Sequence, residues 1–435
     1  AWSAVGDKIK TIWTSKITPQ NVWQDYPRPQ MVRKDWKNLN GLWEYAILHR
    51  MPRKMVAPIK YKEKILVPFA IESSLSGVGK ELLPVEVLWY RTKFDVSDWQ
   101  GKEIILHFGA VDYKSTLYIN DIEVGTHIGG NDPFSYNITR FINSEESIQE
   151  LELSVWDPTD TGTQPRGKQT LRPRGIWYSA VSGIWQTVWL EAVEKTHINK
   201  INTISDIDEQ KVKILLDLKN GIGNEKFLIK ITQDDATVST QTFDSKEPIN
   251  IHIPNTKLWS PDHPNLYDIE IDVLRNGDVL DKITSYFAMR KIAIGLDKNG
   301  FSKLFLNNEE LFHWGTLDQG WWPDGLLTPP SKEAMVYDMK VLKQLGFNTI
   351  RKHIKVEPAI FYHQADELGF LLWQDMPSGF LHNHHPEQHV RPGDKEDWNR
   401  PIETAALFKN EWKNIIDHLK FFPSIVVWVP FNEGM

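Results

Sequence analysis

FNTIRKHIKVEPAIFYHQADELGFLLWQD (residues 347–375) contains the pattern that decides the fold of the C-terminal third of the chain. FNTIR and FLLWQD, at its two ends, are short apolar runs typical of buried strands. EPAIFYHQADELG, between them, has helical spacing and ends at a glycine. A strand, a helix and a second strand in succession predict two parallel strands joined by a right-handed crossover.

The same alternation extends in both directions from this segment. ELFHWG (310–315) is a strand candidate, and SKEAMVYDMKVLKQLG (331–346) is a predicted helix with Ser331 as its N-cap and Met335, Met339, Leu342 and Leu345 on one stripe. IETAALFKNEWKNIIDHLKFF (402–422) is a further helix, and SIVVWV (424–429) a further strand. The order β-α-β-α-β-α-β fits either a doubly wound sheet or a (β/α)₈ barrel.

The first two thirds of the chain have a different pattern, in which short β-branched or aromatic runs are separated by Gly, Asn, Asp and Pro. Many short strands of this kind predict a sandwich or jelly roll up to about residue 195. Smaller alternating strands follow, with RNGD (275–278) as a hairpin turn, and they suggest an immunoglobulin-like sandwich. We therefore predict a multidomain β plus α/β protein with boundaries at 1–195, 196–293 and 294–435.

Composition excludes several classes of protein. The 435 residues correspond to about three domains, and a net charge of −7 argues against a nucleic-acid-binding protein. Without an apolar run of 18 residues, no membrane-spanning helix is predicted. The absence of cysteine excludes disulfides, zinc–cysteine sites and thiol nucleophiles. The 19 tryptophans fit either stacking on sugars or the filling of sandwich cores.

Polar residues follow each predicted strand of the last third, where the reacting groups of a (β/α)₈ barrel lie. Glu433 follows an apolar strand, and we expect a general acid/base in a partly desolvated pocket; the alternative is an ordinary loop carboxylate. Arg351 is a substrate clamp or an ion-pair partner between strand ends. We expect one cavity to hold these groups, and the candidate set is Asp318, Arg351, His353, Trp373, Asp375, Asn432 and Glu433.

Two further stretches are conspicuous, and we interpret both as solvated loops. HNHHPEQH (382–389) is dense in metal-ligand types, but no helix fixes two of its histidines on one face. RGKQTLRPR (166–174) is basic without interleaved aromatic residues. We therefore assign no metal site.

Five stretches together resemble glycoside hydrolase family 2, the β-galactosidase and β-glucuronidase family. The resemblance covers almost the whole chain, and its most specific part is the Asn-Glu pair that ends the last stretch. The stretches are VLWYRTKFDV (87–96), LHFGAVDYKSTLYINDIEVGTHIGGNDPFSYNIT (106–139), GIWQTVWLE (183–191), LWSPDHPNLYDIEIDV (258–273) and FFPSIVVWVPFNE (421–433).

The resemblance implies a role for individual residues. Glu433 matches the family's acid/base, and Asn432 matches the amide that binds the sugar 2-hydroxyl. Arg351 matches the arginine of the second-strand motif, but here the run is Arg-Lys-His-Ile-Lys, so His353 comes one position early and the usual Tyr-Pro is absent. Asp375 falls near an acidic residue at the end of the third strand.

The implied activity is retaining hydrolysis of β-glycosides, with an oligosaccharide or polysaccharide as substrate. No cofactor is needed, and a homo-oligomer is left open. Members that degrade polysaccharides are often exported, so we expect a periplasmic or secreted protein, with the cytoplasm as the alternative.

The chain is short for the fold that the resemblance implies. A complete barrel takes about 250 residues, so residues 294–435 would form the first half of it. The family's nucleophilic glutamate lies on a later strand. We therefore expect a truncated piece of a longer enzyme, inactive by itself.

Two other classes of function are alternatives to the hydrolase. A non-catalytic carbohydrate-binding protein would explain the tryptophan content, but it has no need of Glu433 at the end of a strand. A dehydrogenase or kinase is disfavoured because no GxGxxG or GxxxxGK[ST] follows a strand.

Overall fold

The structure is a computed structural model that describes residues 2–51, 56–379, 393 and 401–433. Within these residues the chain is mainly β-strand, and the helices are concentrated in the last third. Three short 3₁₀ turns occur in the first part, at Thr14–Lys16, Ser97–Trp99 and Thr139–Phe141. No helix in the described part of the chain is long and apolar enough to cross a membrane.

Two antiparallel sheets pack face to face in the first part of the chain, with strand orders β1-β12-β5-β9 and β3-β2-β4-β10-β7-β8. Apolar side chains of the two sheets face each other and form one buried core, and buried residues alternate along strands such as β5. β6 and β11 pair separately. The strands are β1 (Trp36–Asn38), β2 (Gly41–His49), β3 (Glu63–Val67), β4 (Glu86–Asp95), β5 (Glu103–Phe108), β6 (Val111–Asp112), β7 (Lys114–Ile119), β8 (Ile122–Ile128), β9 (Phe134–Asn137), β10 (Ile148–Trp156), β11 (Gly183–Ile184) and β12 (Val188–Val193).

A second pair of antiparallel sheets follows, with orders β13-β14-β17 and β16-β15-β18-β19. Residues 196–293 are all described and contain no helix, as expected. The hairpin predicted at RNGD is confirmed, because Asn276 and Gly277 both have positive φ (52° and 90°) between β18 and β19. The strands are β13 (His197–Asp206), β14 (Lys211–Lys219), β15 (Lys226–Gln233), β16 (Ala236–Asp244), β17 (Ile249–His252), β18 (Tyr267–Arg275) and β19 (Asp278–Phe287).

A small antiparallel sheet of β20 (Ile292–Leu296), β21 (Ser302–Leu306) and β22 (Glu309–Glu310) precedes the parallel part. The strand predicted over 310–315 is wrong, because β22 ends at Glu310 and the next strand begins at Gly315. Phe312 and Trp314 are 75% and 57% exposed, so the apolar run does not enter a core. The Asn348 side chain bonds to the backbone of both residues.

The last third forms a four-stranded parallel sheet in the order β23-β24-β25-β26. The order follows the chain, without the reversal that defines a doubly wound sheet. Its elements are β23 (Gly315–Asp318), α1 (Lys332–Gln344), β24 (Thr349–Lys352), α2 (Ala359–Leu368), β25 (Leu371–Asp375), α3 (Ile402–Leu419) and β26 (Ile425–Val429).

Local sequence explains the ends of these helices. The Ser331 hydroxyl caps α1 by accepting a hydrogen bond from the Ala334 N–H at 3.1 Å, as predicted. α2 ends at Gly369, whose φ of 81° is the left-handed conformation of a helix C-cap. Of the predicted apolar stripe, Met335 and Met339 are buried, but Leu345 is 65% exposed because α1 ends before it.

Two of the contacts between the first pair of sheets and the parallel part involve backbone N–H groups of the first part. Gly130 and Asn131 donate their backbone N–H groups to Glu411 on α3. Arg166 and Gly167, on a loop after β10, donate theirs to the Ser378 carbonyl, just beyond the end of β25. The second contact brings the loop to the carboxyl ends of the parallel strands.

Candidate functional site

The carboxyl ends of β24, β25 and β26 bring three predicted residues together. Arg351 forms a bidentate ion pair with Asp375, with Nε–Oδ1 and Nη2–Oδ2 distances of 3.0 and 2.9 Å. The same Nη2 donates to Asn432 Oδ1 at 2.9 Å. Because each strand adds one partner, these side chains are oriented by the sheet register itself, as expected for strand ends in a parallel sheet.

His353 joins this cluster through Asp375. Its Nδ1 lies 3.2 Å from Asp375 Oδ2, although the geometry is not that of a hydrogen bond. Ile354, at φ 54°, directs its N–H to the same oxygen at 3.2 Å. Burial lowers the pKa of His353, and the Asp375 carboxylate opposes that shift. The carboxylate is therefore surrounded by a guanidinium, an imidazole and a backbone N–H.

Glu433 lies directly after Asn432, in a turn where its φ is 54°. We expected a partly desolvated pocket for this carboxylate, but the side chain is exposed in the described structure. It does not point into the apolar layer between strands and helices. The expectation of partial burial was wrong because β26 ends at Val429, and the chain then turns outward through the exposed Phe431.

Asp318 belongs to a different group of charges. Its carboxylate accepts a hydrogen bond from the Lys352 ammonium at 2.7 Å, and Lys352 also lies 3.7 Å from Glu357. Glu357 pairs in turn with Lys355. Side chains alternate along a strand, so Lys352 projects from the opposite side of β24 to Arg351. The structure thus groups Asp318 with Lys352 instead of Arg351, and its role in substrate binding stays a prediction.

Trp373 is half-buried beside Arg351 in the sheet register, and its Nε1 donates to His313 Nδ1 at 2.9 Å. An aromatic pair that sequence reasoning did not single out is Tyr178 with Trp321, whose rings stack at 4.5 Å. The Tyr178 hydroxyl also donates to Gln319 at 2.5 Å. This pair joins the loop after β10 to the end of β23 and offers a flat face for a sugar.

The basic loop at 166–174 is only partly the solvated surface that we expected. Arg172 and Arg174 are exposed, but Lys168 and Gln169 are buried. Gln169 donates to Asp112 at 2.7 Å and accepts from the Val181 N–H at 2.9 Å. The prediction failed here because the loop is buried by contacts distant in sequence, with Asp112, Val181 and Ser378, for which a polar loop carries no periodic signal.

A cavity and a group of carboxylates found among the described residues both lie away from the strand ends. A cavity of about 800 Å³ lies between the two sandwiches and the ends of α2 and α3, and the cluster around Arg351 does not line it. Among the described residues, the carboxylates close enough to share an ion are Asp121, Glu150 and Glu152, on the first sandwich. The HNHHPEQH stretch lies outside the described residues.

Comparisons with known proteins agree with the resemblance noted above. Residues 196–290 match the family model "Glycosyl hydrolases family 2". A putative beta-glucuronidase of Formosa agariphila is 28% identical over 94% of this chain and 48% of its own length. A beta-galactosidase of Thermoanaerobacter pseudethanolicus is 27% identical over 80% of this chain and 45% of its own length. The chain thus spans about half the length of these curated relatives.

A solved structure shares the fold over most of the chain. The beta-glucuronidase of Ruminococcus gnavus superposes with a TM-score of 0.74 at 18% identity, over 94% of this chain and 68% of that one. The family model over residues 196–290 and the curated relatives thus support the resemblance to glycoside hydrolase family 2, and the solved structure shows a shared fold.

Proposed function

We propose that this chain carries the acid/base part of a retaining β-glycoside hydrolase. The observation that supports it most is the Arg351–Asn432 hydrogen bond at 2.9 Å. It occupies the amide oxygen of Asn432 and leaves the NH₂ group as a donor for a sugar hydroxyl. The residue next to this oriented amide is Glu433, an exposed carboxylate that a bound sugar can reach.

The proposed reaction has two steps in which Glu433 changes its role. Protonated Glu433 first donates its proton to the glycosidic oxygen as the bond to the anomeric carbon breaks, while a second carboxylate attacks that carbon. Ionised Glu433 then removes a proton from water, which releases the sugar from the carboxylate. The two carboxylates must lie about 5–5.5 Å apart. We assign no residue of this chain to the second one.

We further propose that the four parallel strands are the first half of a (β/α)₈ barrel, preceded by a jelly-roll and an immunoglobulin-like sandwich. Two observations support this architecture. The strand order follows the chain order, as it does in a barrel. The curated relatives are about twice as long as this chain, which leaves room for the remaining strands and for the nucleophile.

The substrate is proposed to be a β-linked oligosaccharide or polysaccharide, since the relatives are named beta-glucuronidases and beta-galactosidases. A non-catalytic carbohydrate-binding protein is the second candidate. The stacked pair of Tyr178 and Trp321 favours it, because an exposed aromatic face binds sugars without any chemistry. The two candidates differ in whether Glu433 matters for turnover.

The test replaces Glu433 by Gln in the full-length enzyme that contains this chain. Hydrolysis of aryl β-glycosides should fall about 100- to 10,000-fold for poor leaving groups and much less for dinitrophenyl leaving groups, which need little protonation. The exposed carboxylate Glu209, in the turn between β13 and β14, gives the matched control Glu209→Gln, which should not change either rate. Equal losses for all leaving groups would contradict the acid/base role. An enzyme with no turnover of any β-glycoside would favour the binding protein.

A further inference from the structure

The cavity between the two sandwiches and the parallel part has the size of a ligand site. Its volume is about 800 Å³, within the range of about 300–1,000 Å³ in which proteins bind small molecules. β5 and β9 of the first sandwich line it, together with β13 and β14 of the second sandwich, the start of α2 and the end of α3. Ligand sites are common where separate parts of a fold meet in this way.

The inner charges of the cavity are already paired with each other. Glu191 accepts hydrogen bonds from Arg28 at 3.0 and 2.7 Å and from Arg33 at 3.1 Å. Arg33 also forms an ion pair with Asp281. The lysines that line the cavity are exposed to solvent, namely Lys200, Lys219 and Lys420. A charged ligand would therefore leave water without meeting a buried, uncommitted charge of opposite sign among these groups.

Gln30 supplies a neutral polar group that has no partner. The residue is 7% exposed and lines the cavity, and its Oε1 is buried without a hydrogen bond from any residue that the structure describes. Its backbone is fixed, because the Gln30 carbonyl accepts a hydrogen bond from the Ser285 hydroxyl at 2.6 Å. A buried amide oxygen without a donor is unfavourable. Rotation of the terminal amide exchanges its oxygen and nitrogen, so Gln30 can offer either a donor or an acceptor to a ligand.

His418, in the last turn of α3, is a second neutral group that lines the same cavity. No hydrogen bond to its ring is found within the described part of the chain. Burial and the positive charges of Lys200 and Arg28 lower its pKa to about 4, and Asp132 opposes this shift. The imidazole is therefore uncharged at neutral pH, with one ring nitrogen as a donor and the other as an acceptor. Like Gln30, it suits a ligand group that both donates and accepts.

Apolar side chains form the larger part of the cavity surface. Met31, Ile198, Ile360 and Phe421 line the cavity and belong to one buried core. Such a surface favours apolar C–H groups, whose burial removes them from water. A sugar meets both requirements, since its hydroxyls donate and accept hydrogen bonds while its ring C–H groups are apolar.

We propose that this cavity is a non-catalytic binding site for a neutral sugar held by Gln30 and His418. The inference goes beyond the proposed hydrolysis, because Arg351, Asp375 and Asn432 do not line the cavity. A neutral sugar gives Gln30 the hydrogen bond that it lacks. An apolar ligand leaves Gln30 unpartnered, and a charged sugar loses hydration without gaining an ion pair. A ligand between both sandwiches and the two helices should also stabilise their arrangement.

The experiment titrates D-glucose and D-galactose into the full-length enzyme by calorimetry. Gln30→Leu keeps the approximate volume of the side chain and removes its polar atoms, and Ser135→Trp on β9 fills the cavity from its exposed rim. Each variant should weaken sugar binding at least about tenfold, through lost hydrogen bonds or steric exclusion. D-glucuronate, a charged sugar of the same ring size, should bind the site that Ser135→Trp removes at least about tenfold more weakly than D-glucose.

Two control variants carry the same new residues at exposed positions away from the cavity. Gln100→Leu and Thr242→Trp, the latter on the edge strand β16, should bind sugar as the wild type does. Melting temperatures separate a binding role of Gln30 from a structural one. Without sugar, Gln30→Leu should melt at the wild-type temperature or above it, since the variant removes an unpartnered polar atom. The rise in melting temperature that sugar causes in the wild type should be absent.

Three outcomes would overturn the inference. Sugar binding that Asn432→Ala abolishes and both cavity variants keep would place the sugar at the strand ends alone. Equal binding of D-glucuronate and D-glucose at the site that Ser135→Trp removes would contradict its neutral chemistry. A wild type that binds neither neutral sugar would refute the site itself.

The result also separates this site from the proposed hydrolysis. Loss of sugar binding in the cavity variants, with unchanged kcat/KM for aryl β-glycosides, would support the inference. Sugar binding in the cavity by an enzyme without any hydrolysis would remove the proposed function and leave this site intact. If Gln30→Leu does not fold, Ser135→Trp against Thr242→Trp decides.

Discussion

Two regions of the molecule bury carboxylates in opposite ways. At the strand ends, Asp375 faces the guanidinium of Arg351. A second group, which we term the interface carboxylates, consists of Glu411 on α3 and three carboxylates of the first part of the chain, Glu72, Asp112 and Asp157. The hydrogen bonds found for them in the described structure come from uncharged donors, such as the N–H groups of Gly130 and Asn131 on Glu411.

The electrostatics of the interface carboxylates follow from this difference. Burial raises the pKa of Glu411 and of Glu72 to about 8, and nearby acids add to the effect. Burial raises the pKa of Asp157 to about 6 and that of Asp112 well above its usual value. Near neutral pH, Glu411 and Glu72 are therefore largely protonated groups that join elements together. The comparison teaches that buried carboxylates of this chain are held either by a cation or by uncharged donors, and that those held by uncharged donors have a raised pKa.

The largest expected effect comes from breaking the charged region. Arg351→Met leaves the buried Asp375 without its cation and frees the Asn432 amide to rotate. We expect a loss of about 3 kcal/mol in stability and at least about 1,000-fold in kcat/KM of the full-length enzyme. Arg351→Lys keeps the charge but not the bidentate geometry and should lie in between. Chemical denaturation and steady-state kinetics measure the two effects, and a variant with normal kinetics would contradict the role of the cluster.

The interface carboxylates should make stability depend on pH in the opposite direction to an ordinary ion pair. Glu411 has a reference pKa of 4.5 when unfolded and about 8 when folded. Between these values the unfolded chain loses its proton first, so the free energy of unfolding should fall as pH rises from about 4.5 to 8. We expect a loss of at least about 1 kcal/mol from this residue. Denaturation of the chain at several pH values measures it.

Glu411→Gln sharpens that comparison, because an amide retains an acceptor for Gly130 and Asn131 but does not titrate. The variant should therefore show a shallower fall in stability over the same pH range. The exposed Glu209→Gln should preserve the wild-type slope. A Glu411→Gln slope equal to that of the wild type would contradict the raised pKa.

The smallest expected effect concerns the loop that joins the two regions. Gly167→Ala should destabilise the protein by about 1–2 kcal/mol, because φ is +64° and the new Cβ meets the Ile354 carbonyl. Gly175, in the same loop segment, has a φ of +55° and open space around it. Gly175→Ala therefore measures the backbone effect alone. Equal changes in melting temperature for both variants would show that the close approach to Ile354 does not matter.

Sequence periodicity predicted the regular elements of the last third well. The helix capped by Ser331, the helix ended by Gly369 and the strand that ends at Asp375 are all found, because local pattern and capping determine them. The strand predicted for ELFHWG is wrong, because apolar composition does not reveal whether other elements of the fold pack over an apolar segment. Without tertiary contacts, Asp318 could not be separated from the Arg351 cluster.

The docked loop shows the same limit at the site. Lys168 lies in a polar, basic stretch that is typical of a solvated surface, and its burial depends on Ser378 and Ile354, more than 180 positions away in the chain. The exposure of Glu433 could not be predicted either, since it depends on how the chain turns after β26. Position at a strand end was enough to predict that Arg351, Asp375 and Asn432 lie together. It was not enough to predict how exposed each side chain is to solvent.

The central claim, that Glu433 is the acid/base of a retaining enzyme, is tested most directly by chemical rescue. Glu433→Ala of the full-length enzyme should hydrolyse a dinitrophenyl β-glycoside slowly, since the glycosyl–enzyme forms but water is no longer activated. Added azide needs no base and should accelerate turnover, giving a β-glycosyl azide that NMR identifies. An α-glycosyl azide would assign Glu433 as the nucleophile, and the absence of both rescue and rate loss would contradict any role for it in the chemistry.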